Sequence, residues 1–132
     1  MKLESEKVRV QMSQEELFDH LTKVENYEGL MPESKEKFQV ISQDTFAFAL
    51  KGMPEIRLQI KETAKPDHII LGSTSDKFDF SLRADLEEIS PSETEAQLHF
   101  EGNFNAMMAM MVKNPLKKFI GHLAQNMSEL GN

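Results

Sequence analysis

The last third of the sequence constrains the fold more than any other part. Residues 94–104 alternate between small or apolar and polar side chains, which is the two-residue period of a strand with one buried face. Residues 105–130 follow without a break and carry apolar side chains at the 3.6-residue period of a helix. The apolar stripe of this helix consists of Met108, Val112, Leu116, Phe119, Ile120, Leu123, Met127 and Leu130. A one-sided strand that leads directly into a long amphipathic helix predicts a sheet wrapped around that helix.

The beginning of this helix is rich in methionine. Met107 and Met110 lie about 100° or more from the centre of the apolar stripe, so they are expected to be exposed or covered by something else. Exposed flexible apolar side chains are typical of adaptable binding surfaces. We therefore predict a portal to the interior formed by Met53, Met107, Met108 and Met111, and the alternative is a homodimer contact or an ordinary edge of the core. Further along, the proline at position 115 is expected to kink the helix or split it near residues 112–114.

The first third of the sequence predicts one strand and two short helices. Residues 2–12 alternate in the manner of a half-buried strand. Ser13 and Glu16 have the spacing of a capping box, in which each side chain satisfies the backbone N–H of the other residue at the start of a helix. Residues 24–32 predict a second helix of one or two turns, since Gly29 and Pro32 stop its helical spacing.

The middle of the sequence predicts a series of hairpins separated by turn residues. The strands of this region and of the last third are expected at residues 35–43, 45–51, 56–63, 68–74, 77–89 and 94–104. Three of them alternate cleanly and direct one apolar set to the same side: Phe46, Phe48, Leu50, Ile56, Leu58, Ile60, Phe78, Phe80, Leu82, Ala84 and Leu86. The sheet is therefore predicted to be antiparallel with one solvated face. The facing of residues 68–74 stays open.

Composition narrows the class of protein. A chain of 132 residues fits one domain, residues 1–132, with a core of its own. The absence of cysteine excludes a disulfide framework and a zinc-thiolate site. The formal net charge of −7 opposes binding to nucleic acid. The sequence has neither the apolar core of a signal peptide nor a segment long enough for stable membrane insertion, so a cytoplasmic location is expected.

Catalytic motifs are not apparent in the sequence. Its four histidines are too scattered for a helical metal-binding pair, and it has no Gly-x-Ser-x-Gly motif and no glycine-rich phosphate loop. The polar groups expected near the interior are Tyr27, Ser42, Thr94 and, if a bulge reverses the strand parity, His68 or Arg57. An ordinary structural role is favoured for each of them. The sequence thus predicts no metal, no cofactor and no catalytic residue, and it favours a binding protein over an enzyme.

The predicted order of elements is one strand, two short helices, six strands and a long helix. This order resembles the helix-grip fold of the SRPBCC, or START-like, superfamily, and in particular its small bacterial polyketide-cyclase-like members. The best local match is Phe18-Asp-His-Leu-Thr-Lys-Val-Glu-Asn-Tyr-Glu-Gly-Leu-Met-Pro32, although this chain has Leu30 and Met31 where many members carry a tryptophan. The glycine-rich loop of the plant pollen-allergen branch is missing. The resemblance implies a pocket for lipids, sterols, polyketides or other apolar molecules, and some members are cyclases, dehydratases or chaperone co-activators.

Taken together, the patterns and the resemblance predict an α+β helix-grip domain with a curved seven-stranded antiparallel sheet. The domain is expected to bind a small hydrophobic or amphipathic molecule between the sheet and the C-terminal helix, with Tyr27 as a polar contact. The predicted cavity walls are Phe46, Phe48, Phe80, Leu82, Leu98, Phe100, Val112 and Phe119. Burial of the ligand's apolar surface, at about 25 cal/mol per Å², would drive binding. The alternatives are a cyclase or dehydratase acting on a polyketide-like substrate, a co-activator-like interaction module, and a solid core without a pocket.

Overall fold

The computed structural model describes residues 1–33, 35–74 and 79–131. The predicted turn at residues 75–76 and the predicted inward position of Phe78 lie outside the described residues. The helices are α1 (Gln14–Leu21), a 3₁₀ helix (Val24–Leu30) and α2 (Ala106–Ser128). The strands are β1 (Lys2–Glu4), β2 (Val8–Val10), β3 (Lys37–Val40), β4 (Thr45–Ala49), β5 (Ile56–Ala64), β6 (His68–Ser73), β7 (Phe80–Ser90) and β8 (Glu93–Gly102).

The strands form one antiparallel sheet in the order β1-β8-β7-β6-β5-β4-β3, and β2 also pairs with β8. Both α-helices and the 3₁₀ helix contact strands or one another, and α2 lies against β1, β2, β8 and the 3₁₀ helix. The core lies between the inner face of the sheet and the buried stripe of α2. This arrangement confirms the predicted helix-grip α+β fold.

Burial alternates along the strands as the sequence predicts. In β7, for example, Phe80, Leu82, Ala84 and Leu86 are buried while the residues between them are partly or fully exposed. In β6 the buried residue Ile69 belongs to the core, which places its neighbour His68 on the outer face of the sheet. The facing of β6, which the sequence left open, is thereby decided.

The first predicted strand is interrupted at Ser5. Glu4 pairs with His99 and Val8 pairs with Ala96, so four steps along the N-terminal segment match three steps along β8. The extra residue is the signature of a β-bulge. The hydroxyl of Ser5 compensates for the lost regularity, because it accepts a hydrogen bond from the Leu98 N–H at 3.0 Å and donates to the Glu6 carbonyl at 2.8 Å. The sheet consequently has eight described strands where seven were predicted.

Helix α2 is continuous through Pro115, so the predicted split at residues 112–114 is wrong. Val112 and Leu116 are buried on either side of the proline, and their packing holds the helix together across the missing hydrogen bond.

At the C-terminal end, the amide of Asn126 donates to the Leu30 carbonyl at 2.9 Å and ties α2 to the 3₁₀ helix. None of the helices in the described ranges is long and apolar enough to span a bilayer.

The capping box predicted for α1 is confirmed. The Ser13 hydroxyl accepts a hydrogen bond from the Glu16 N–H at 3.1 Å, and the Glu16 carboxylate accepts one from the Ser13 N–H at 3.3 Å. These two bonds satisfy N–H groups that would otherwise lack a partner at the helix start. The cap fixes where α1 begins, and α1 then buries Leu17, Phe18 and Leu21 against the core.

Candidate functional site

The space between the sheet and α2 is where the sequence predicts a ligand. All eight residues predicted as cavity walls are buried there: Phe46, Phe48, Phe80, Leu82, Leu98, Phe100, Val112 and Phe119. They reach it from three strands and from α2, because inward positions alternate along each strand and recur every third or fourth residue along the helix. Their position in the interior agrees with the sequence, and their contact with a ligand stays a prediction.

The interior itself is nearly full. The cavity between the sheet and α2 has a volume of only about 10 Å³ and is lined by Tyr27, Leu30, Ile69, Leu71, Leu82, Ala84, Leu98, Leu123 and Met127. Pockets that hold small molecules usually measure roughly 300–1,000 Å³, and about 10–15 Å³ is the least that a single water needs. At this place the described residues leave far less space than a ligand needs, and a ligand-sized cavity stays a prediction. Among the predicted ligand contacts, Tyr27, Leu82 and Leu98 line this small void.

A chain of stacked aromatic rings crosses the space between the sheet and α2. The ring of Tyr27 stacks on Phe46 with centroids 4.9 Å apart, Phe46 lies 5.9 Å from Phe48, and Phe48 lies 5.0 Å from Phe119 of α2. Such offset stacks stabilise a core beyond the area they bury. The rings link the 3₁₀ helix, β4 and α2 directly, so the two apolar surfaces touch at a place where the sequence predicts a gap between them.

The interior polar groups are engaged in structural hydrogen bonds. The Tyr27 hydroxyl donates to the Leu21 carbonyl at 2.8 Å, and the Thr94 hydroxyl donates to the Met12 carbonyl at 2.8 Å. Burial raises the pKa of the Tyr27 phenol, which keeps it neutral and makes it a poor acid or base. Within the described ranges, every buried side-chain nitrogen or oxygen has a hydrogen-bond partner. The interior thus offers little chemistry for a reaction.

Three other polar candidates lie outside the core. Ser42 is exposed and bonds to Asp44 in the turn between β3 and β4, at 2.8 Å. Arg57 and His68 occupy outward positions on β5 and β6. The β-bulge in β5 falls between Ile60 and Glu62, beyond Arg57, so it does not turn that side chain inward.

Replacing Tyr27 by phenylalanine is expected to lower the free energy of unfolding by about 1 kcal/mol, the net contribution of one ordinary hydrogen bond. The ring would keep its place on Phe46, and the carbonyl of Leu21 would lose its partner. Urea unfolding monitored by circular dichroism measures the difference. Thr22→Val, which removes an exposed hydroxyl bond to Asp19, is the comparison and should cost less. A turnover found in the wild type and lost in Tyr27→Phe would contradict the structural role given to this hydroxyl.

The start of α2 differs from the rest of the helix in burial. Met107, Met110 and Met111 are 75%, 84% and 64% exposed, whereas Met53 and Met108 are partly buried against the core. The exposure of Met107 and Met110 agrees with their expected place off the apolar stripe. The first buried residue of α2 is Val112, so residues 106–111 contribute no fully buried side chain. Whether the methionines form a portal stays a prediction.

Below the helix start, Phe104 closes the end of the sheet. Its ring lies across Gly102, where a Cβ atom would come within 2.5 Å of the ring. The Phe104 ring also faces Phe100 at a centroid distance of 6.2 Å, and Phe100 stacks on Phe80 at 5.0 Å. The glycine is thus required for the close approach of the ring. The aromatic cluster of Phe80, Phe100 and Phe104 therefore lies at the strand ends, with Phe104 two residues before α2 begins.

The outer face of the sheet carries a charged network that the sequence did not reveal. Asp85 at its centre lies 2.6 Å from Arg83 and 3.2 Å from His99, and His99 also lies 3.6 Å from Glu4. His68 joins the network 3.4 Å from Arg83. Exposed ion pairs of this kind contribute about 0–1 kcal/mol each to the free energy of unfolding.

The described residues contain no group of three or more side chains suited to a metal ion.

Several known proteins share the architecture of this chain. No protein-family model and no curated protein matches the sequence. A START superfamily protein from Mycobacterium smegmatis has a similar structure, with 15% identity, a TM-score of 0.67 and coverage of 96% of this chain and 94% of that one. A protein from Thermus thermophilus is 9% identical, with a TM-score of 0.73 over 98% of this chain and 95% of that one. The chain has a START-like fold.

A third neighbour with the START-like fold is described with small molecules bound. It is norcoclaurine synthase from Thalictrum flavum in complex with dopamine and hydroxybenzaldehyde. The identity is 10%, the TM-score is 0.71, and the match covers 98% of this chain and 84% of that one. At identities of this order, the likeness concerns the fold alone.

Proposed function

We propose that this protein binds a small hydrophobic or amphipathic molecule between its sheet and α2, at the end of the helix where the methionines lie. The observation that carries the proposal is the contrast along α2. Residues 106–111 have no fully buried side chain although they are all methionine or alanine, while the helix from Val112 onward is packed against the core. The helix start is thus the part of the interface that can move with the least loss of packing.

Binding requires the interior to expand. The void of about 10 Å³ lies toward the other end of α2, beside Leu123 and Met127, and is far smaller than a ligand. In the ligand-bound state, the start of α2 and Phe104 would therefore move away from the sheet and open a new space. Met53 and Met108, which are only partly buried, can follow such a movement because methionine side chains are flexible. The ligand would replace water at the exposed methionines and contact the rings of Phe80 and Phe100.

The fold and the lining support this class of ligand. Norcoclaurine synthase, with a similar fold, is described in complex with two small aromatic molecules. In this chain, the rings of Phe80, Phe100 and Phe104, at the strand ends that precede α2, form an apolar cluster. An apolar or aromatic molecule fits such surroundings better than a charged one, since a buried charge without a partner is costly.

A second function is favoured by the filled interior. A START-like domain whose core is packed can act through its surface, as an interaction module in which the exposed methionines contact another macromolecule. The enzyme alternative receives less support, because the buried polar groups in the described part of the chain are satisfied by structural bonds.

Hydrogen exchange tests the proposal. The backbone amides of residues 109–113 are expected to exchange at least about tenfold faster than those of residues 119–125, since the first group lies on the poorly packed end of α2. An amphipathic probe such as anilinonaphthalene sulfonate, whose aromatic rings can enter the apolar space while the sulfonate stays in water, is expected at saturation to slow exchange in the first group only. Equal protection of the two groups, or no change on adding the probe, would contradict a mobile helix start. Native mass spectrometry of freshly purified protein then reports whether a cellular ligand is retained.

A further inference from the structure

We propose that the exposed face of α2 docks on the surface of an anionic lipid bilayer. This face, which we call the methionine–lysine face, consists of Met107, Met110, Met111, Lys113, Lys117 and Lys118, all of them exposed. The inference does not rest on the proposed ligand, since it concerns the outside of the helix. Docking of this kind is peripheral and agrees with the finding that no described helix can span a bilayer.

The apolar half of this face protrudes. Met107, Met110 and Met111 are each at least 64% exposed and occupy the first two turns of α2. Other large apolar side chains that are exposed in the described ranges, such as Val40 and Ile41, expose less than half of their surface. Three adjacent methionines with flexible side chains can enter the boundary between lipid headgroups and acyl chains without a preformed partner surface.

The basic half of the face is segregated in a strongly acidic protein. Although 22 of the 132 residues are Asp or Glu, none lies within the 23 residues of α2. Lys113, Lys117 and Lys118 form no ion pair with any residue that the structure describes, whereas Arg9 and Arg83 on the outer face of the sheet are paired with carboxylates. These three lysines are consequently available to an external anion.

The two halves face the same way. At 100° per residue, Lys118 falls within about 20° of Met107 and Met111 around the helix axis, and Lys117 falls within about 20° of Met110. Lys113 lies at the edge of the face, about 60° from Met110. Beside Lys118, a shallow groove of about 110 Å³ adds one more lysine, Lys51, over a base that includes Phe119. The face thus combines an apolar tip with a basic band next to it, which is the charge pattern that complements anionic headgroups over an apolar layer.

A bilayer fits this face better than a protein partner does. A partner helix would need an apolar groove to receive it, and the groove beside Lys118 is far too small for a helix. The whole chain has a formal charge of −7, in which Lys113, Lys117 and Lys118 count as +3, so the rest of the chain totals −10 and is on balance repelled by anionic lipid. Docking through the methionine–lysine face keeps most of this acidic surface away from the bilayer and holds the methionine end of α2 against it.

Flotation with vesicles tests the inference. The full chain, without added ligand, is mixed with vesicles of phosphatidylcholine alone or with one-third phosphatidylglycerol, in low and in physiological salt. Binding is expected only to the anionic vesicles and is expected to weaken with salt. Lys117→Gln with Lys118→Gln should lower the partition coefficient by roughly 25-fold, at about fivefold for each lysine. Met107→Ser with Met110→Ser should lower it at least about tenfold.

Matched controls separate the effect of this face on vesicle binding from the effects of net charge and of exposed apolar side chains elsewhere. Lys2→Gln with Lys23→Gln makes the same change in net charge elsewhere, and Val40→Ser with Ile89→Ser removes exposed apolar side chains elsewhere. Both controls should float like the wild type, and urea midpoints should show that every variant is folded. Equal losses in test and control variants, or no binding to anionic vesicles, would overturn the inference. A concentration-dependent dimer that disappears in the methionine variant, without vesicle binding, would assign the face to a second copy of the chain instead.

Discussion

Replacement of Phe46 by alanine is expected to lower the free energy of unfolding by about 4 kcal/mol. The ring is fully buried and contacts three other rings, with centroids 4.9 Å from Tyr27, 5.5 Å from Phe38 and 5.9 Å from Phe48. Its loss removes the transfer energy of a large apolar group and leaves a cavity at the centre of the aromatic chain, which the backbone of β4 cannot close. Urea unfolding followed by far-ultraviolet circular dichroism gives the value.

Val40→Ala is the matched control for this prediction. Val40 lies directly opposite Phe46 in the pairing of β3 with β4, but it is 45% exposed, so its truncation should cost less than about 1 kcal/mol. A cost below about 1 kcal/mol for Phe46→Ala as well would show that the aromatic chain is loosely packed. In that case the interior would have room for a ligand without the rearrangement proposed above.

Replacement of Phe100 by aspartate is expected to prevent folding or to cost more than about 4 kcal/mol. Phe100 is 2% exposed, stacks on Phe80 at 5.0 Å and faces Phe104 at 6.2 Å, so a carboxylate at this position would be buried without a partner. Circular dichroism and the fluorescence of anilinonaphthalene sulfonate report the fold and the apolar binding site. Glu101→Gln is the control on the adjacent, exposed outer position and should change neither signal.

This pair of variants also tests the proposed function. A folded Phe100→Asp protein that binds the probe as tightly as the wild type would show that Phe100 does not border the binding region. The proposal predicts the opposite, because the ring of Phe100 faces Phe104, which lies two residues before the start of α2.

The sequence predicted the faces of the elements but not the distance between them. The two-residue period directed Phe48 inward and the 3.6-residue period directed Phe119 toward the sheet, and both residues are buried. Whether two such faces enclose a pocket depends on how strongly the sheet curves and on the rotamers of the rings. The 5.0 Å contact between Phe48 and Phe119 results from that curvature, which a residue pattern does not encode.

Register is the second property that the sequence pattern lacks. The bulge at Ser5 and the network around Asp85 both depend on which residue lies opposite which on the neighbouring strand. Asp85 lies opposite His68 on one side and opposite Gln97 on the other, close to Arg83 and His99 in the ladder. The alternation along β8 puts His99 on the outer face, and only the pairing shows that it contacts an aspartate.

The hydrogen bond from Asn126 to the Leu30 carbonyl makes α2 a lever with one fixed end. This amide anchors the C-terminal end of α2, so a pivot of the whole helix about that end would displace its start the most. Nineteen residues separate Asn126 from Met107, or about 28 Å at 1.5 Å per residue. A rotation of only about 6° about the anchored end would therefore displace the methionines by about 3 Å. Such a small pivot does not require the helix to unfold. A contact on the exposed face of the helix start would then change the space between α2 and the sheet.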